Sequence, residues 1–257
     1  MSVEPKFPEV EQIRKYDEDN LEASIKYLGE SYTLVHDVTE LYILLSDLLS
    51  TSQSPIDLKF HINCTLFLSC QYQFTTSCLA VLRAHLTDSF RSTRRAIESC
   101  AFSYRIFKHP HLAEVWLNAG DSDESYKKYR EKFSGKNLFP EKHEVMKFLG
   151  DRYDFCSKQM HSTLHSFVTR MITEEKEKSL SFKFPYYDIP KDDPVHFFRA
   201  FFATINIHRH ILKVFSEVFQ EDIKQDKVTW EVHYNAVEVK YGVHLAPWRD
   251  TMVNYLE

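Results

Sequence analysis

Only 5 of the 257 residues are glycine, and this scarcity limits the chain's choices more than any other feature. Glycine supplies the positive-φ positions of tight turns and lets backbone come close to phosphate. A chain this poor in it is a bad candidate for a turn-rich β fold or a Gly-rich nucleotide cradle. Helix is what remains, and the periodicity agrees. Leu21, Ile25, Leu28, Tyr32, Val35, Tyr42, Leu45 and Leu49 mark one face of an amphipathic helix. That helix is expected to run from a cap at Asp19 or Asn20 to about Ser50, after a short lead-in helix within residues 1–19.

Further helices are set by their start and stop signals. Ser54 is the expected cap of the next one, with Pro55 at its first position and Asp57 in its first turn. Cys64 to Cys70 is apolar on nearly every side, which predicts a central helix with neighbours all round. Thr87 or Asp88 opens a third, with the stripe Leu86, Phe90, Ile97, Cys100, Tyr104 and Phe107, and His109-Pro110 stops it. A short helix runs through Trp116 to a breaker at Gly120-Asp121. Ser122 caps a charged helix to Phe133, and Pro140 opens one that reaches about His161. The period then changes. Leu180, Phe182 and Phe184 alternate with Ser181 and Lys183, which predicts a β-hairpin at about 164–184 with a charged tip at Glu174–Lys178. Asp193-Pro194 caps a long helix to about Phe219, and a last one spans Asp226 to Tyr241 and ends at Gly242. The expected architecture is mainly α: a bundle of up-down helices in one domain, residues 1–257, with one inserted β-hairpin.

The chain is long enough, and at 43% hydrophobic apolar enough, to bury a core without staples. Its 32 basic and 37 acidic residues give a net charge of −5, so bulk charge does not draw it to nucleic acid. The five cysteines are odd in number and form no C-x-x-C pair, which reads as small buried hydrophobes in a reducing compartment. The opening MSVEPKFPEVEQ has no basic-then-apolar signal pattern and no apolar run spans a bilayer. The expected setting is cytoplasmic, with no membrane contact.

Chemistry-bearing residues are few. Arg94 and Glu98 stand four apart on the third helix, beside Arg91 and Arg95. Such a pair is either a solvated ion pair or a half-buried Arg94 held by Glu98, with its planar fork presented to a phosphate or carboxylate. The wider stretch Arg83, His85, Arg91, Arg94, Arg95, Arg105 and Lys108, interleaved with Tyr104 and Phe107, is either a phosphate-contacting surface or a solvated helix face. His161 and His165 have metal-ligand spacing only if a helix continues past Ser162. His109/His111 and His208/His210 are weaker, and His208 falls on an apolar stripe as a core histidine would. No glutamate is followed three residues later by histidine, so a carboxylate di-metal centre is disfavoured. No metal or cofactor is expected.

Phe90-Arg91-Ser92-Thr93-Arg94-Arg95-Ala96-Ile97-Glu98-Ser99 is similar to an L-L-R-x-x-x-E-S helix. It leads to Tyr104 and then His109-Pro110-His111-Leu112-Ala113-Glu114-Val115-Trp116-Leu117. Tyr153-Asp154, His161, the expected hairpin and a long helix complete the order. Over roughly residues 60–220 the chain resembles a bacterial helical family of unknown function related to HEPN domains. The resemblance implies a HEPN-like bundle, dimerisation, and in many relatives ribonuclease or toxin-type activity around an arginine and a histidine with four to six residues between them. Arg152 and His161 occupy that place with eight residues between them, and Arg105 to His111 matches the count across Pro110. Two functions are then in view. One is an interaction domain, pairing with itself or a protein partner or holding a small anion at Arg91, Arg94 and Arg95. The other is a HEPN-like ribonuclease acting on RNA, with His161, Arg94, Glu98, Tyr153 and Asp154 at one cleft.

Overall fold

The computed structural model describes residues 8–52, 57–134, 138–160, 172–176, 179–183 and 195–249. Nine α-helices fall among them. They are α1 (Pro8–Leu28), α2 (Thr33–Ser50), α3 (Leu58–Leu82), α4 (Leu86–Lys108), α5 (Leu112–Leu117), α6 (Asp123–Lys132), α7 (Glu144–Met160), α8 (Val195–Val218) and α9 (Lys227–Leu245). The fold is mainly helical, and no helix among the described residues is long and apolar enough to cross a membrane.

The first expected boundary moves. Asp19 and Asn20 lie inside α1, and the chain breaks instead at Gly29, whose φ of +52° is a left-handed turn that only glycine takes freely. One 3-10 turn, Gly29–Tyr32, then leads into α2, which buries Leu34, Val38, Leu41, Tyr42, Leu45 and Leu49. The cap of α3 is Asp57, whose carboxylate accepts the Phe60 N–H at 2.7 Å; the expected cap Ser54 lies outside the described residues. Ser122 caps α6 by accepting the Ser125 N–H at 3.1 Å. α7 starts at Glu144 rather than at Pro140, where His143 Nδ1 accepts the Met146 N–H at 3.2 Å. α9 runs through Gly242 because Leu245 continues its buried row.

α3 and α4 form a helical hairpin through the turn at Arg83–His85. Buried Ala84 stands there at φ +63°, the left-handed position that closes such turns. α4 is the hub: α3, α7 and α8 pack against it, α8 also touches α2 and α3, and α9 lies on α2. The buried apolar side chains form one continuous cluster from Leu28 to Leu245, with Phe67, Phe74, Phe201, Phe202, Phe215 and Phe219 at its centre. α3 is not covered all round, as its composition suggested, for Leu68 is 55% and Tyr72 67% exposed. Cys70, Cys78, Cys100 and Cys156 are buried and unpaired, as read from the sequence. His208 is a core residue with no exposed surface.

The expected hairpin at about 164–184 falls largely on residues outside the described set. Between them Ile172–Lys176 (β1) and Ser179–Lys183 (β2) pair antiparallel, Ile172 opposite Lys183 and Lys176 opposite Ser179. Glu174 to Lys176 therefore lie in a strand rather than at a tip. This pairing does not by itself support a hairpin inserted into the bundle.

Candidate binding cleft

The Arg94–Glu98 pair is built on α4, with α7 across from it. Phe90 and Phe155, in edge contact at 5.6 Å between centroids, hold the two helices in register. Arg94 is half-buried and does not pair directly with Glu98. Its Nε donates to Ser157 Oγ at 2.9 Å, its Nη2 donates to the Tyr153 hydroxyl at 2.5 Å, and its guanidinium lies 4.6 Å from the centre of the Tyr153 ring. Tyr153 in turn donates to Glu98 Oε1 at 3.4 Å. Burial, then the nearby Glu98 carboxylate, raises the Tyr153 pKa. The phenol thus stays protonated and links the arginine to the glutamate as acceptor and donor at once. It is no general base. Cys156 beside it is buried, and burial pushes its thiol up to about 12, so it is no nucleophile at neutral pH.

Phe139 packs against Tyr153, ring to ring at 5.4 Å. Phe139 comes close to α7 because residue 150 is glycine: a Cβ there would stand 3.0 Å from both Phe139 Cβ and Cγ. Lys147, Gly150, Asp151 and Asp154 share this face of the helix at steps of three, one and three.

A cleft of about 700 Å³ opens on this face. Phe133 and Leu138 are its buried floor, and Phe139 and Tyr153 are its aromatic wall. Four carboxylates line it, those of Glu98, Glu141, Asp151 and Asp154, against the single ammonium of Lys147. Three of the five residues expected at one site are thus joined, Arg94, Glu98 and Tyr153, and Asp154 lines the same cleft. His161 lies outside the described residues, as do His165 and Ser162.

Three other basic residues of this stretch pair with acids. Arg91 is exposed and pairs with Asp88 at 2.6 Å, His85 meets Asp17 at 2.8 Å, and Lys108 meets Glu217 at 3.0 Å. Arg95 is exposed on the same side of α4 as Arg91. Among the described residues no three His, Cys, Asp or Glu side chains converge as a metal site. Ser157, Phe139, Gly150, Glu141 and Asp151 were not foreseen. The helical spacing of Gly150, Asp151 and Asp154 was a readable signal, whereas the role of Ser157 exists only once α7 lies across α4. No family model, curated protein or solved structure matches the chain.

Proposed function

We propose that this chain is a non-catalytic helical binding domain, self-associating, whose cleft between α4 and α7 receives a cationic group from a partner. The observation that carries the reading is the lining of the cleft, four carboxylates and one lysine over an aromatic wall. Carboxylates and ring faces both attract a desolvated ammonium or guanidinium. A basic side chain of a protein partner, or a small amine, has that chemistry. The Arg94–Tyr153–Ser157 knot then acts as the scaffold that holds Glu98 and the tyrosine ring in place. HEPN-like up-down helices with an inserted hairpin are the finer architecture of the same reading.

The small-anion reading at Arg91, Arg94 and Arg95 has less behind it. Arg94 already donates to two hydroxyls and Arg91 to Asp88. A ribonuclease would bring a polyanion to an acidic cleft, against the charge that draws proteins to RNA.

Calorimetric titration separates these readings. A short lysine- and arginine-rich peptide is expected to bind the wild type. The Glu98→Gln, Asp154→Asn double variant should bind it at least about tenfold more weakly, the scale of one lost charge-assisted hydrogen bond. Inorganic phosphate and a uridine oligonucleotide are expected not to bind. Phosphate binding lost in Arg94→Ala would instead establish the anion site. Cleavage of the oligonucleotide by wild type but not by His161→Ala would establish the enzyme.

A further inference from the structure

α9 is apolar on two opposite faces. Its inner row, Trp230, Val237, Tyr241 and Leu245, is buried in the core. Its outer row is Val228, Val232, Val239 and Val243, exposed by 73%, 61%, 67% and 65%. At 100° per residue these four fall within a 60° band, with only Asn235 and Ala236 between them, so the band carries no charge over a length of about 22 Å. Valine is a poor helix former because its branched Cβ loses rotamers against the preceding turn. On a solvated face, lysine, glutamate or alanine would favour the helix more. A helix apolar on both sides is one with neighbours on both sides.

We infer that the outer face of α9 is the interface at which two copies of this chain pair, antiparallel, about a two-fold axis through Asn235–Ala236. The inference rests on the self-associating part of the proposed function and not on the cleft. The spacing identifies the occupant. A two-fold interface requires the patch to match itself, and the valine steps of four, seven and four are symmetric about their midpoint. Reversing one helix on the other brings Val228 against the partner's Val243 and Val232 against the partner's Val239. Four valines exposed to this degree offer on the order of 400 Å² per partner, about half the usual footprint of a stable interface, so the residues flanking the row must supply the rest. α3 has a second uncovered row at Leu68, Tyr72 and Leu79. It alternates with hydroxyls that already satisfy themselves on the helix, such as Thr65 on the His61 carbonyl at 2.9 Å and Thr76 on the Tyr72 carbonyl at 3.0 Å. It is the natural control.

The test is the mass of the full chain by light scattering and sedimentation, with circular dichroism confirming that each variant stays helical. Wild type is expected at twice the chain's 30.5 kDa. Val232→Lys with Val239→Lys is expected to raise the dimer dissociation constant at least about 100-fold, since like charges are forced together. Val232→Lys with Val239→Glu sets lysine against glutamate only in the antiparallel register and is expected to restore the dimer. Leu68→Lys with Tyr72→Lys is expected to leave it intact. A monomeric wild type overturns the inference, and so does a dimer that the valine variants leave unchanged or the α3 variant abolishes. A dimer that never binds the basic peptide would overturn the cleft and leave the interface standing.

Discussion

His208 lies at the centre of the bundle with its Nδ1 2.9 Å from the Tyr42 hydroxyl and its ring 4.9 Å from that of Phe74. Its Nε2 has no hydrogen-bond partner. Burial lowers its pKa from 6.5 to about 3, so the folded protein holds a neutral imidazole. The consequence for stability has a definite sign. Above about pH 6.5 both folded and unfolded chains are neutral at this residue, and nothing is lost. As the pH falls below that value the unfolded chain takes up a proton that the folded chain refuses until about 3, so stability declines through the window. The slope from one such group is at most about 1.4 kcal/mol per pH unit. Urea unfolding between pH 6.5 and 5, above most carboxylate titration, should show that slope in wild type and a flatter one in His208→Leu. Equal slopes would mean that the histidine does not control the acid limb. The core position of His208 was readable from its place on an apolar stripe. Its bond to Tyr42, 166 residues away, was not, because no local pattern encodes which stripe faces which.

Helix by helix, what was legible depended on whether the signal was local. Ser122 and His109-Pro110 act within one turn of themselves, and both mark real helix ends. Gly29 and Gly242 show the opposite case, since the same residue type breaks the chain at one and is passed over at the other. The next few residues make the difference. Beyond Gly242 the buried row continues to Leu245, and beyond Gly29 the buried face is rotated to Leu34 and Val38. Gly150 is different again: it serves a neighbour, letting Phe139 come close to α7 and so against Tyr153. Two substitutions separate these roles. In Gly242→Ala the new methyl meets nothing, so the helix should gain about 0.5–1 kcal/mol from propensity. Gly150→Ala gains the same propensity but pushes against Phe139, and the expected result is no net gain together with weaker binding at the cleft. Thermal unfolding of the two variants side by side, with the basic peptide as probe, checks this. Equal stabilisation of both, with binding kept, would show that the close approach of Phe139 carries no weight.

For the molecule as a whole, the five thiols report whether the core opens in one piece. Cys64, Cys70 and Cys78 stand on α3, Cys100 on α4 and Cys156 on α7, so three packed helices each carry a probe. Burial raises the Cys64 thiol to about 11, which leaves roughly one molecule in a thousand as thiolate at pH 8. It is the least buried of the five, so it should be labelled first and slowly. The other four are under 4% exposed and can react only when the structure around them opens. One hydrophobic cluster joins all three helices, and a cluster without a seam favours one cooperative transition. Labelling of Cys70, Cys78, Cys100 and Cys156, with mass spectrometry against urea as the readout, is therefore expected to show a single common slope, the slope measuring the area exposed in the opening reaction. Cys156 is the informative member. It lies between Phe155 and Ser157, the residues through which α7 holds α4 and Arg94. A shallower slope at Cys156 alone would mean that α7 detaches as a unit, that residues 1–257 are more than one cooperative body, and that the cleft is built on a helix able to leave it.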